Sequence, residues 1–206
     1  MAKQDHEIAK IAIDPVIFTV HDKKLKILLQ TRDKEPGKGK YELPGGLLLP
    51  KETAEETLKR KLAELIGQSN IFFTQFKTFT DPSRDPRGRT VSIGFIALIS
   101  EDKIKKQELW YECDDLPDLA FDHKNIIKTA RDYLKENMDS LIVKQFMPKQ
   151  FPLNKLQEVY EIIEDKHYDN RNFRKKMIIS EIVEETEQLE QEVSHRPAKL
   201  FKFRSQ

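Results

Sequence analysis

The feature that most limits the fold of this chain is a change of texture near residue 140. Upstream, strand-like and helix-like segments alternate; downstream, helical patterning takes over and ends in a hairpin-like tail. Ile11–Val20 (IAIDPVIFTV) and Leu25–Gln30 (LKILLQ), separated by HDKK, read as two strands and a turn. A Gly/Pro-rich loop, DKEPGKGKYELPGG, leads into Thr53–Ile66. Its Leu58, Leu62 and Leu65 at i, i+4 and i+7 predict a helix that Gly67 stops. Ile71–Thr80 and Thr90–Ser100 are further strands around the loop DPSRDPRGR, and Leu109–Tyr111 is a candidate short strand. Asn125–Glu136 is a second helix, with Ile126, Ile127, Ala130 and Leu134 on one face. Strands mixed with two helices over about 140 residues suggest an α/β or α+β domain, and α+β is the expected class.

The expected organisation is a domain over residues 1–140, a linker over 141–152 and a second domain over 153–206. The boundary segment Met138–Pro152 holds two prolines and two glutamines, yet Leu141, Ile142, Val143 and Phe146 make it apolar enough to pack. Beyond it, Leu153, Leu156, Val159, Tyr160 and Ile163 mark an amphipathic helix, and Asp165–Asp169 a polar turn. Asn170–Ser180 is the next helix, with Phe173 and Met177 inward. An acidic run and the alternating AKLFKFR follow. Helix, turn, helix, hairpin is the order of a small winged helix-turn-helix.

Composition excludes several function classes. Thirty-six Lys and Arg against 35 Asp and Glu leave a net charge of +1, so a globally basic nucleic-acid coat is ruled out while a local basic face is not. Cys113 stands alone, which excludes an internal disulfide and a CxxC centre. His6, His21, His123, His167 and His195 are scattered without HxH or HExxH spacing, so no metal site is expected from them. No apolar run approaches ~18 residues and the N-terminus lacks a leader pattern; a cytoplasmic protein with no membrane contact is expected.

The most specific motif is Gly46–Gly67, GLLLPKETAEETLKRKLAELIG. It resembles the Nudix box, G-x5-E-x7-R-E-U-x-E-E-x-G-U with U apolar, and YELPGG resembles the family's lead-in. Gly46, Glu52, Arg60, Leu62, Glu64 and Gly67 match; Lys61, Leu65 and Gln68 depart. The resemblance implies a Nudix-like α/β/α sandwich in which Glu52, Arg60 and Glu64 brace the loop against the helix. In the family, the two glutamates missing here hold a divalent metal. Mg²⁺ needs carboxylate oxygens, whereas Lys61 offers a cation and Leu65 an isobutyl group. No catalytic residue, metal or cofactor is therefore expected. The rival reading, an active Mg²⁺-dependent Nudix hydrolase of nucleoside diphosphate derivatives, needs substitute carboxylates such as Glu42 or Glu56.

A metabolite site is still expected in the Nudix-like cleft. Its candidate residues are Arg32, Glu42, Lys61, Glu64, Arg87 and Arg89. Arginines on the Asp81–Arg89 loop suit a phosphorylated ligand, because guanidinium groups bind phosphate bidentately. Asp122–His123 is assigned to helix entry and packing, Trp110 and Tyr111 to the core.

The second helix of the C-terminal domain carries Arg171, Arg174 and Lys175 opposite Phe173 and Met177, the layout of a recognition helix. Candidate DNA-contacting residues are Arg171, Asn172, Arg174, Lys175, Arg196 and Lys199, with HRP at a possible wing turn. Six glutamates between Glu181 and Glu192 interrupt this basic surface, and the sequence leaves their placement open. The segment FPLNKLQEVYEIIEDKHYDNRNFRKKM…HRPAKLFKF is similar to the winged helix of Nudix-related transcriptional regulators. That resemblance implies a repressor whose silent Nudix domain binds ADP-ribose, a related nucleotide-sugar, or a sugar such as arabinose. It implies operator DNA and a small-molecule effector as partners, and a homodimer. A purely structural interaction module, with no ligand, is the third alternative.

Overall fold

The computed structural model describes residues 8–67, 70–104, 109–191 and 197–204. The elements of the first domain are β1 (Lys10–His21), β2 (Lys24–Leu28), β3 (Gln30–Thr31), β4 (Tyr41–Glu42), β5 (Gly46–Leu47), α1 (Ala54–Ile66), β6 (Phe72–Phe79), β7 (Thr90–Leu98), β8 (Trp110–Glu112) and α2 (His123–Glu136). They are followed by α3 (Ser140–Lys144), β9 (Phe151–Pro152), α4 (Leu153–Glu164), α5 (Asn170–Ile179), β10 (Val183–Leu189) and β11 (Lys199–Phe203).

The main sheet runs β6-β7-β1-β2-β8, with β5 added beside β1. β1 and β7 are parallel and the remaining pairs antiparallel. β1 is buried over nearly its whole length because both faces of the sheet are covered. Its alternation sorts the core. Ile13 and Ile17 join Leu58, Leu62 and Ile66 of α1, whereas Val16, Phe18 and Val20 join Ile126, Ile127, Ala130 and Leu134 of α2. Helices on both faces make the expected α/β/α sandwich. Pro15 is tolerated in a central strand for a specific reason. Ile11 O accepts from Leu48 N, so alternation turns residue 15 to the same side, where β5 pairs only through Ile13 and β2 only from Phe18.

Local chemistry sets the turns and ends. Asp22 and Lys23 both take positive φ (52° and 58°), the two-residue hairpin whose twist matches the strands. Thr53 caps α1 in a capping box with Glu56, and Gly67 closes it at φ 66° with its N–H on Ala63 O. Three boundaries differ from the sequence reading. The strand expected over Leu25–Gln30 breaks at Leu29, where the chain leaves β2 for the β3–β4 hairpin. The short strand lies one residue later, at Trp110–Glu112, and α2 starts two residues earlier, at His123. Leu65 is only partly buried; Ile66 takes the inner position, because a helix turns 100° per residue.

The C-terminal domain has the expected order, with the small sheet β10-β11-β9. Residues 141–152 hold most of α3 and all of β9, and Val143, Phe146 and Phe151 are buried in the same apolar cluster as α2, α4 and α5. Phe173 of α5 packs on Tyr160 and Tyr168 at centroid distances of 5.5 and 5.6 Å. Among the described residues no helix is long and apolar enough to cross a membrane.

Burial outweighs capping in this fold. Leu62 is fully buried between α1 and the sheet, so Leu62→Ala is expected to cost about 2–5 kcal/mol. Thr53→Ala, which removes one cap, is expected to cost about 1 kcal/mol. Urea denaturation with an unchanged m-value checks the order; equal losses would mean that α1 is not held mainly by its apolar face.

Candidate functional site

A cavity of about 350 Å³ opens where β1, β5 and α1 meet the β3–β4 hairpin and the loop before β7. Among its polar lining groups is Asp14, a carboxylate inside the buried run of β1. A buried charge must be paired, and Asp14 is: Oδ2 accepts from Arg84 Nη2 at 2.8 Å and from Ser92 Oγ at 2.6 Å. Arg84 extends the pairing to Asp122, through Nη2 at 2.8 Å and Nε at 3.0 Å. His123 Nδ1 accepts from Leu43 N at 3.0 Å, which puts the proton of a neutral imidazole on Nε2, 3.7 Å from Asp14 Oδ1. This network clamps β1, the loop and the start of α2 around the cavity.

The mouth is built from arginines held by carboxylates. Arg32 donates through Nη1 to Glu42 Oε2 at 2.7 Å and through Nε to Pro36 O at 2.7 Å; Gln30 Nε2 donates to Glu42 Oε1 at 3.0 Å. Arg87 grips Asp85 with Nε and Nη2 at 2.9 and 2.8 Å, which pulls the Asp85 carboxyl down to about 2. Both guanidinium carbons lie over the Phe121 ring, Arg32 at 4.7 Å and Arg87 at 5.0 Å from its centroid. The Lys61 stem crosses Gly46, where a Cβ would stand 3.1 Å from Lys61 Cε. Its ammonium donates to Glu64 at 2.9 Å.

Arg32, Glu42, Lys61 and Arg87 therefore line one cavity, as a ligand site requires. Glu64 and Arg89 do not line it. Glu64 lies between Lys61 and Arg60, and their hydrogen bonds hold its carboxyl below the usual range. Arg89 donates to Thr80 O at 2.8 Å. The three arginines of one loop thus have three fates, since Arg84 is buried and not solvated.

The bracing inferred from the box is present. Arg60 binds Glu52 bidentately, 2.8 Å for each nitrogen, and Glu64 at 3.3 Å. The donor set for a divalent metal does not fit. Lys61 and Leu65 occupy the ligand positions, Glu42 is engaged by Arg32 and Gln30, and Glu56 closes the capping box. Among the described residues no three His, Cys, Asp or Glu side chains converge to hold a metal ion.

Asp14, Arg84, Phe121, Asp122 and His123 line or frame the site although sequence patterns do not place them there. One signal was available: an aspartate in the middle of IAIDPVIFTV demands a buried partner. Trp110 and Tyr111 lie at the core margin, outside the cavity, with Tyr111 edge-on to Tyr41 at 4.9 Å.

On the second domain, Asp169 caps α5 by accepting from Asn172 N. Arg171, Asn172, Arg174 and Lys175 are all exposed on α5. Arg174 and Lys199 converge on Glu185, at 3.6 and 3.3 Å, and Arg174 lies 5.2 Å over the Phe201 ring. Three glutamates of the acidic run lie on β10, whose Glu184 and Glu185 answer the basic residues of β11, Lys202 at 2.9 Å among them; Glu192 lies outside the described residues. Arg196 lies outside the described residues.

Comparison with known proteins covers both surfaces. The NUDIX domain model matches residues 12–130, and the model for the NrtR DNA-binding winged helix domain matches residues 143–203. The ADPR responsive transcriptional repressor NtrR of Acinetobacter baylyi is 33% identical over 213 residues, covering 98% of this chain and 84% of that protein. An ADP-ribose pyrophosphatase of Methanocaldococcus jannaschii is 36% identical over 130 residues, 61% of this chain and 73% of that protein. Shewanella oneidensis NrtR complexed with a 27mer DNA superposes with a TM-score of 0.83 at 31% identity, over 94% of this chain and 93% of that one. The NUDIX domain of the same protein, complexed with ADP ribose, aligns with 65% of this chain and 94% of its own length at 33% identity and a TM-score of 0.56. With a Nudix domain and an NrtR-type winged helix matched in one chain, and a repressor aligned along nearly all of it, this protein belongs to the NrtR family of Nudix-related transcriptional regulators.

Proposed function

We propose that this protein is an ADP-ribose-responsive transcriptional repressor. Its Nudix cavity binds ADP-ribose or a related nucleotide-sugar, its winged helix binds operator DNA, and its Nudix domain is catalytically silent. The observation that carries the reading is the union, in one chain, of a winged helix with a Nudix domain whose metal positions are Lys61 and Leu65. The relatives reported above support ADP-ribose as the effector; none of them supports arabinose. The protein works as a homodimer in the cytoplasm, with its DNA. Exposed Ile11 on β1, Leu47 on β5 and Leu49 just after it support a two-fold contact through the Nudix domains.

A second reading is favoured by the similarity to the M. jannaschii ADP-ribose pyrophosphatase. It makes the chain a Mg²⁺-dependent hydrolase that finds its ligands elsewhere. The two readings separate in one experiment. Calorimetric titration is expected to show ADP-ribose binding without Mg²⁺, weakened in Arg87→Ala with no loss of folding. Chromatography of the same mixture with Mg²⁺ is expected to show ADP-ribose intact. Robust turnover by pure protein, abolished by a substitution within Gly46–Gly67, would establish the hydrolase.

DNA binding has its own test, a mobility-shift assay on DNA from the protein's own upstream region. Arg171 and Lys175 make no ion pair with a described residue, so their charge is free for phosphate. Lys175→Ala is expected to weaken binding across sequences and lower the salt slope by about 1. Arg174→Ala is expected to cost about 1–3 kcal/mol if the residue leaves Glu185 to read a base. ADP-ribose is expected to release the DNA, which requires that it favour the non-binding arrangement. A wild type that ignores every fragment at low salt would sink the repressor reading.

A further inference from the structure

We propose that Phe121 is a positioning residue: its ring fixes the two guanidinium groups, of Arg32 and Arg87, that grip the diphosphate of the ligand. The inference deepens, and rests on, the reading of the cavity as a site for a phosphorylated effector.

Three observations converge on this residue. First, Phe121 has φ 55°, in the left-handed region that a bulky side chain avoids. Such backbone persists only where its surroundings impose it. Here they do: Ala120 N donates to Tyr41 O at 2.8 Å just before it, and Asp122 is held by Arg84 just after it. Second, the ring so placed lines the cavity and meets guanidinium carbons from two distant segments, 4.7 Å for Arg32 and 5.0 Å for Arg87. Third, each arginine is also tied by a carboxylate, Glu42 or Asp85, which leaves specific N–H groups unspent. Arg87 Nη1 has no acceptor among the described residues. Arg32 Nη2 has only a long contact, 3.5 Å, to Glu35 O.

Glu42 and Asp85 cancel the formal charge of the two arginines, so net charge is a poor account of anion binding here. Orientation is the better one. A guanidinium is a planar fork, and stacking on an aromatic face fixes the plane in which its donors lie. Two forks held by one ring present their remaining donors in a fixed relation, the arrangement that two linked phosphates require. Without the ring, Arg87 keeps its buried carboxylate partner but, with about half of its own side chain exposed, can turn its guanidinium plane about that contact.

The test uses the full-length protein with Phe121→Gly and Phe121→Tyr. Glycine suits φ 55°, so the first variant removes the ring while easing the backbone, and its thermal melting is expected to hold. Calorimetric titration of ADP-ribose is expected to show affinity lower by roughly tenfold in Phe121→Gly and little changed in Phe121→Tyr, which keeps the ring face. A ligand-free readout runs beside it, the exchange of arginine Nε–H signals by NMR. Those of Arg32 and Arg87 are expected to exchange faster in Phe121→Gly, while that of Arg60, braced by Glu52, stays as it is. Unchanged Arg32 and Arg87 signals overturn the inference whatever the wild type binds. Loosened arginines with unchanged affinity overturn it as well. A wild type that takes no ADP-ribose at all overturns the ligand reading itself, and the clamp with it.

Discussion

The buried ion pair between Asp14 and Arg84 is the constraint on which the site depends. Asp14 stands in a strand covered on both faces, where an unpaired carboxylate is not tolerated. Its partner comes from the loop before β7, and the same guanidinium reaches Asp122 at the head of α2. Breaking such a pair costs about 3–5 kcal/mol, because it leaves an uncompensated charge in a buried position. One interaction thus fixes a strand, a loop and a helix terminus relative to one another. Part of the cavity lining hangs from those three elements: Arg87 and Asp85 from the loop, Phe121 and His123 from the head of the helix, and Leu43 through His123; Arg32 and Glu42 of the β3–β4 hairpin and Lys61 of α1 complete it. Gly45 belongs to the same constraint, since a Cβ there would stand 2.3 Å from Ile13 O and 2.6 Å from Asp14 Oδ1.

On α1, the ion pairs that brace the box are present, while Lys61 and Leu65 stand where its pattern has glutamates. Arg60 still spans from Glu52 to Glu64, which ties the loop before α1 to the helix. Glu64 pairs with Lys61 as well. The face that would present carboxylates to a cation now presents an ammonium to the cavity, a group that complements an anion. Bracing and coordination are separable because they use different residues of the same helical turn.

The winged helix is joined to the Nudix domain by burial. Val16, Ile126, Val143, Phe151, Leu156, Phe173 and Phe201 belong to one apolar cluster that runs from the sheet through α2 into the second domain. Lys155 of α4 pairs with Glu101 beyond β7. Phe121 also lines a second groove, between α2 and the end of α4, that includes Ile162, Ile163 and Asp165. The cavity and the winged helix therefore share a wall. Within the second domain, β10 sets its glutamates against β11, and the exposed face of α5 remains with Arg171 and Lys175 uncompensated.

Sequence alone determined the four longer helices, the longer strands and the order of the two domains, because periodicity, capping and turn chemistry act within a few residues; the two-residue strands β3, β4, β5 and β9 and the one-turn α3 carry no such pattern and depend on their partners. Thr53, Glu56 and Gly67 delimit α1 whatever surrounds it, and Leu153 to Ile163 define the buried face of α4 by spacing. The box, with Lys61 and Leu65 in it, was equally legible as a string of residues. Tertiary structure alone decided which charges meet. Asp14 and Arg84 are 70 residues apart, and nothing local couples them. The loop DPSRDPRGR offered three equivalent arginines; closure of the sheet buried Arg84, aimed Arg87 at the cavity and left Arg89 on Thr80. Glu184 and Glu185 found their basic partners on β11 only through the register of β10 with β11. Phe121 carried no sequence signal, since its importance lies in two arginines brought to its ring from separate segments. Patterns repeat along the chain, but electrostatic partnership depends on distance in space, and only the folded chain supplies it.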